Sequence, residues 1–267
     1  MKRSHIAFAA LVIVIILALF YLNKNSQTKP IVAKVQVSAP LSHLELPQYN
    51  NGEESIVKKG FTLVYSETYE QPVWVAYTLN LAKLIRKAKR SDSFQADRDI
   101  STGSATNKDY THSGYDKGHM APAADMAYSA EAMKESFLFS NISPQKPKFN
   151  RGIWKELEEE TRSWCREFGE IYITTGPIFT KVLERIGPNK VAVPSKYFKT
   201  VLLYTKNQYW AIGFIIPNEG TSKPISSYMV PVDSVEKATG LNLYFNLPDD
   251  IEDEVESARR LPVWLLN

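Results

Sequence analysis

Between residues 149 and 168, Trp154, Leu157, Thr161, Trp164 and Phe168 recur at steps of three and four. That spacing draws one stripe along a helix, and Gly169 follows it as a helix stop. A helix with such a stripe must bury it, and the segments around it are strand-like. Stretches 61–67 and 73–78 before it, and 170–175, 191–204 and 209–216 after it, are rich in aromatic and β-branched residues. Glu70-Gln71-Pro72 suits a turn between the first two, and Asn207-Gln208 a hairpin between the last two. Ser129 caps a predicted helix over 130–137. Shorter helices are predicted over 234–239, capped by Asp233 or Ser234 and stopped by Gly240, and over 251–260. Stretch 79–90 reads as a short helix or an extended basic connection. Strands and helices intermingle without regular alternation, so the fold class is α+β rather than a doubly wound parallel sheet.

The chain has 267 residues, 44% hydrophobic and 23% charged, which excludes a disordered protein and fits one well-buried domain. Cys165 is the single cysteine. One thiol excludes an intramolecular disulfide and a cysteine-built metal cluster. A net charge of +3 permits an anionic partner without demanding one. Lys83, Arg86, Lys87, Lys89 and Arg90 crowd five cations into eight residues. They form either a solvated face or part of a phosphate-contacting surface.

Residues 6–22 carry no charge and follow a basic start, Lys2-Arg3. Seventeen residues at 1.5 Å each reach about 25 Å, the short end of a bilayer span. The reading is a signal-anchor over 1–25, with a cleaved secretion signal as the alternative, then a proline-containing linker over 26–49 and the folded domain over 50–267. It places the body outside the cytoplasm, held to a membrane or secreted.

The chemistry concentrates in Asp116-Lys117-Gly118-His119, followed by Ala-Pro-Ala-Ala-Asp, then Asn141-Ile142-Ser143-Pro144-Gln145, then Asn150 with Trp154, Leu157, Glu158 and Arg162. A histidine of near-neutral pKa suits a general base at physiological pH. Amide and carboxylate oxygens suit a hard cation, which keeps water and needs few protein ligands. Each piece also has a plain structural reading. His119 alone would be a surface or core histidine, Asn150 a helix cap, and Glu158 with Arg162 an exposed helical ion pair.

Taken together, the motif closely resembles the DNA/RNA non-specific endonuclease family over about 61–247. The resemblance implies a ββα-metal fold, a central antiparallel sheet with helices on its faces. It implies a sugar-non-specific endonuclease that hydrolyses phosphodiester bonds in DNA and RNA with Mg²⁺ or Mn²⁺. His119 is then the general base and Asn150 the metal ligand. Glu158 would hold the ion's hydration shell, and Asn141 would orient groups or bind the scissile phosphate. Lys117, Arg90, Arg162 and Gln145 would contact substrate, with Arg98 a rival to Arg90 and Arg162 free to pair with Glu158. Asp116 would fix the local loop or hold Lys117, and Asp125 would brace the segment after the motif. Lys117 departs from the family's usual arginine, which retains charge but loses the planar fork that grips phosphate. The competing reading is a membrane-tethered module that captures DNA without cutting it.

Overall fold

The computed structural model describes residues 41–48, 52, 54–205 and 208–257. Seven antiparallel strands form the main sheet in the order β1-β2-β3-β6-β9-β10-β11. They are β1 (Ser55–Val57), β2 (Thr62–Ser66), β3 (Gln71–Leu79), β6 (Ile171–Ile178), β9 (Lys196–Thr205), β10 (Gln208–Pro217) and β11 (Met229–Val230). Two short hairpins stand apart: β4 (Asp116–His119) with β5 (Ile142–Gln145), and β7 (Arg185–Ile186) with β8 (Val191–Ala192). The helices are α1 (Asn107–Tyr110), α2 (Ala130–Glu135), α3 (Pro147–Phe149), α4 (Lys155–Phe168), α5 (Val232–Thr239) and α6 (Asp249–Glu256). The α+β class and the antiparallel sheet agree with the sequence.

Strand alternation sets the two faces of the sheet. Phe214 of β10 stacks on Trp164 of α4, ring centroids 6.1 Å apart. A side chain at its neighbour Gly213 would collide with Val235 of α5. Helices α4 and α5 therefore cover opposite faces. The α4 face carries Val75, Tyr77 and Leu79 of β3, Ile171 and Ile173 of β6, and Tyr197, Val201 and Leu203 of β9, all in one buried cluster. The stripe Trp154, Leu157, Thr161 and Trp164 is buried as its spacing requires, and Cys165 lies buried beside it.

The long helix predicted over 149–168 is interrupted. After α3 the chain makes a π-helical turn, Asn150–Trp154, with Gly152 outside helical geometry at φ −103°, ψ −116°. Only then does α4 begin. A residue inserted into a helix in this way re-aims the side chains around it. Helix α5 starts at Val232 behind Pro231, not at Ser234, because a proline with its preset φ opens a helix well. Gly240 closes it in the left-handed region at φ 77°. Stretch 81–90 holds no helix, and its backbone amides Lys87 and Ala88 donate to Ala127 O. The last helix spans Asp249–Glu256, and 258–260 lie outside the described residues. Of the predicted linker, 41–48 pack on the body: Leu44 is buried, and Gln48 bridges Asn242.

On the α5 side, Asp233, Glu236 and Glu256 bring carboxylate oxygens within 4.8 Å of one another. Glu256 is buried, and one of its oxygens has no hydrogen-bond partner. Burial pushes its carboxyl from 4.5 up to about 9, and the neighbouring acids Glu236, Glu252, Asp233 and Asp253 add to the rise. The folded state thus holds a proton that the unfolded chain releases. The stability tied to that proton is full below about pH 4.5 and is lost as pH rises through about 9. Glu256→Gln is expected to melt above the parent, by a margin that widens from pH 5 to pH 9. Thermal melts followed by circular dichroism check this, and a margin independent of pH would rule the linkage out.

Candidate active site

Strand β4 is four residues long, and alternation splits it. Lys117 and His119 share one face, Asp116 and Gly118 the other. Its pairing with β5 sets His119 opposite Ile142 and Gly118 opposite Ser143. A methyl group at Gly118 would run into the Gln145 side chain, so glycine is the residue that lets this side chain lie against the strand.

His119 sits among aromatic rings. Phe137 meets it edge-on with centroids 4.7 Å apart, and Phe94 lies tilted at 5.5 Å. Its Nε2 is buried without a partner. Burial lowers the imidazole pKa from 6.5 to about 3, with the Arg90 charge adding to the fall and Asp92 opposing it. The ring is therefore neutral and holds a free lone pair at any physiological pH. Lys117 lies on the same face, its Nζ 4.2 Å from the Phe94 ring centroid and 2.9 Å from Asn107 Oδ1. Arg90 stacks over Phe137 at 5.0 Å and pairs with Asp92 at 2.6 Å.

The other face of β4 reaches the start of the helical segment. Asp116 accepts from Asn150 Nδ2 at 2.9 Å and from both arms of Arg151 at 2.8 and 2.6 Å. A carboxylate only accepts, so the Asn150 nitrogen must face Asp116. The amide oxygen then points elsewhere and is the atom left for a cation. Asp116 thus braces Asn150 and Arg151, not Lys117. Asn150 does not cap a helix with its side chain: it has helical backbone angles and closes α3.

Of its two expected uses Asn141 takes the orienting one, and Gln145 is placed otherwise than expected. Asn141 is fully buried, and its side chain is spent on backbone. Its Oδ1 accepts from Ala121 N at 2.9 Å, while Nδ2 donates to Ala121 O at 3.0 Å and to Ser136 O at 2.8 Å. Its backbone carbonyl also takes the Met120 amide at 2.9 Å. No polar atom remains for phosphate, so Asn141 orients the chain that follows His119. Gln145 is likewise fully buried against Gly118, which removes it from any substrate-facing surface.

On α4, Arg162 pairs with buried Asp125 at 2.8 Å rather than with Glu158. Tyr77 donates to the second oxygen of Asp125 at 3.0 Å. Burial raises the Glu158 carboxyl from 4.5 to about 7. Lys199 opposes that rise most, Asp125 adds to it, and Arg162 and Arg90 oppose it further. Arg90 acts on both His119 and Glu158, so these groups share one electrostatic neighbourhood. His112 is exposed. Sequence reasoning missed Lys199 and Tyr77. Both lie in strand-like apolar runs, where only the three-dimensional facing of β3 and β9 marks them out.

A family model described as DNA/RNA non-specific endonuclease matches residues 38–250. The chain belongs to that family. The human protein named Endonuclease G, mitochondrial, is 33% identical over 199 residues, covering 69% of this chain and 67% of its own length. The Xenopus laevis Nuclease EXOG, mitochondrial, is 35% identical over 228 residues, covering 79% and 61%. The Saccharomyces cerevisiae Mitochondrial nuclease is 29% identical over 265 residues, covering 85% and 80%. Among solved structures, the crystal structure of the EndoG/EndoGI complex superposes with a TM-score of 0.72 at 26% identity, over 80% of this chain and 96% of that one. The β4–β5 hairpin followed by the α3–α4 segment sets two strands and a helix in ββα order. The chain is a nuclease, and the reading as a non-catalytic capture module finds no support.

These relatives correct one expectation. The sequence placed the nuclease outside the cytoplasm on a membrane anchor, whereas the relatives are named mitochondrial nucleases. Among the described residues no helix is long and apolar enough to cross a membrane. The apolar run 6–22 lies outside the described residues.

Proposed function

We propose that this nuclease cuts DNA and RNA alike, with His119 as general base and Asn150 as protein ligand of a divalent cation, Mg²⁺ or Mn²⁺. The carrying observation is the pairing on one short strand of a buried, unpartnered imidazole nitrogen with the carboxylate that orients Asn150. The donors fit a hard cation: an amide oxygen turned away from Asp116, and the half-buried carboxylate of Glu158, which feels the same Arg90 charge as His119. Such a cation, when bound, polarises a phosphoryl oxygen and neutralises charge on the leaving group.

The protein's own part is to hold the ester and move a proton. Arg90 and Lys117 flank the His119 face and contact phosphate, so recognition follows the backbone and not the base edges. The arriving anion raises the basicity of the neutral imidazole. His119 Nε2 then takes a proton from water as the water oxygen bonds to phosphorus and the P–O bond to the leaving sugar breaks. Asn141 keeps the backbone after His119 in place, and the Asp125–Arg162 pair anchors α4.

Purified protein is expected to nick plasmid and degrade RNA with Mg²⁺ and to stop on adding EDTA. Cutting that survives EDTA, or binding without cutting, would sink the reading. Glu158 near pH 7 adds a sign. Protonation below that value weakens a cation site, so half-saturation by Mg²⁺ should rise roughly tenfold from pH 8 to pH 6. Glu158→Gln should show no such pH dependence.

A further inference from the structure

Lys199 occupies the middle of β9, an interior strand paired on both sides by β6 and β10. It lies on the α4 face, in line with Tyr197, Val201 and Leu203, where every other side chain of the strand belongs to the apolar cluster. It is fully buried, and its Nζ has no hydrogen-bond partner. The ammonium lies 5.0 Å from the Trp154 ring centroid and 5.9 Å from that of Tyr77. Two ring faces attract a cation but do not replace three lost hydrogen bonds. A buried ammonium persists when a nearby anion compensates it.

The surrounding charges identify that anion. Four ionisable groups meet here: Asp125, Arg162, Glu158 and Lys199. Arg162 is already committed to Asp125 by a direct bond, and Tyr77 holds the other oxygen of that carboxylate. Glu158 and Lys199 are left, each without a direct ion-pair partner among the described residues. Trp154, over which the ammonium sits, is one helical turn before Glu158, so the two side chains lie on neighbouring turns.

We propose that Lys199 is a positioning residue for Glu158: from the sheet beneath α4 its buried charge, without a direct bond, draws the Glu158 carboxylate toward the orientation that serves the cation site. This rests on the reading of Glu158 as part of that site. The charges agree with it. Among charged groups Glu158 acts most strongly on Lys199, and Lys199 on Glu158.

The test uses the full chain with Lys199→Met, Lys199→Gln, Glu158→Gln and the double variant Lys199→Met with Glu158→Gln. Calorimetric Mg²⁺ titration without nucleic acid, thermal melting, and kcat and KM on plasmid are the readouts. Both Lys199 variants are expected to melt cooperatively, to bind Mg²⁺ about 10–100-fold more weakly, and to lose kcat while KM stays near that of the parent. In the Glu158→Gln background, Lys199→Met should change nothing further. Unchanged Mg²⁺ affinity in the single variants, or a full extra loss in the double variant, overturns the proposal. So does the absence of a cooperative melt in both single variants, which would assign Lys199 to the fold. If Glu158→Gln alone leaves Mg²⁺ binding and kcat intact, the failure belongs to the reading of Glu158.

Discussion

Replacing His119 by alanine is expected to lower kcat by about 10²–10⁴, with KM little changed. In barrier terms that is roughly 3–5 kcal/mol. The expectation follows from the division of labour around the ring. On the proposed reading Arg90 and Lys117 hold phosphate, and both are separate side chains that remain in the variant. What disappears is the imidazole, whose Nε2 has no hydrogen-bond partner among the described residues. The substitution also leaves a gap beside Phe94 and Phe137, and added imidazole should enter it and restore part of the rate. Single-turnover plasmid nicking with saturating Mg²⁺ is the measurement, alongside a melt to show that the fold persists. Near-normal cutting by the variant would remove His119 from the mechanism.

The second large effect lies away from the chemistry. Asp97→Ala is expected to destabilise the fold by about 3–5 kcal/mol, the range for breaking a buried ion pair from one side. Asp97 and the Lys58 side chain are both almost wholly buried, with Nζ 2.8 Å from one carboxylate oxygen and 2.9 Å from the other. The carboxylate also accepts from the Ser140 hydroxyl and from the Asp99 amide at 3.0 Å. Removing it leaves a buried ammonium with only the exposed Asp99 at 2.6 Å. It also frees Ser140, the residue before Asn141, so activity should fall together with stability. Urea unfolding measures the loss. Removing both charges, with Lys58→Met added, should recover part of it, because the uncompensated ammonium is then gone. Strict additivity of the two substitutions would show that the pair carries no coupling.

Much of the fold was legible because it rests on local periodicity. The stripe from Trp154 to Trp164 is buried as read, and the runs that became β2, β3, β6, β9 and β10 are strands. The β4–β5 hairpin was not legible. Asp-Lys-Gly-His and Ile-Ser-Pro-Gln show little apolar alternation, and each contains a poor strand former. They pair because Asn141 and Ser143 are fixed by distant partners, Ala121 for the first and Gln71 with Tyr197 for the second. The break before α4 was also hidden. The apolar spacing continues through Gly152, and the π turn shows only in the backbone.

The site divides in the same way. His119, Asn150 and Glu158 stand in a motif whose residue types announce proton transfer and cation binding. The sequence left Asn141 open between orienting groups and binding phosphate, and gave Gln145 and Arg162 a substrate contact, because the use of each depends on a partner far along the chain. Asn141 meets Ala121, Gln145 lies on Gly118, and Arg162 meets Asp125, 37 residues away. The sequence alone determined the family, the antiparallel α+β class and the chemical types available for hydrolysis, since these are carried by short-range pattern and residue identity. The tertiary structure decided which polar atoms are consumed as scaffold, which imidazole nitrogen is left without a partner, and that a lysine lies buried beside Trp154 and Tyr77. Burial and pairing arise only when distant segments close on one another, and no local pattern encodes that meeting.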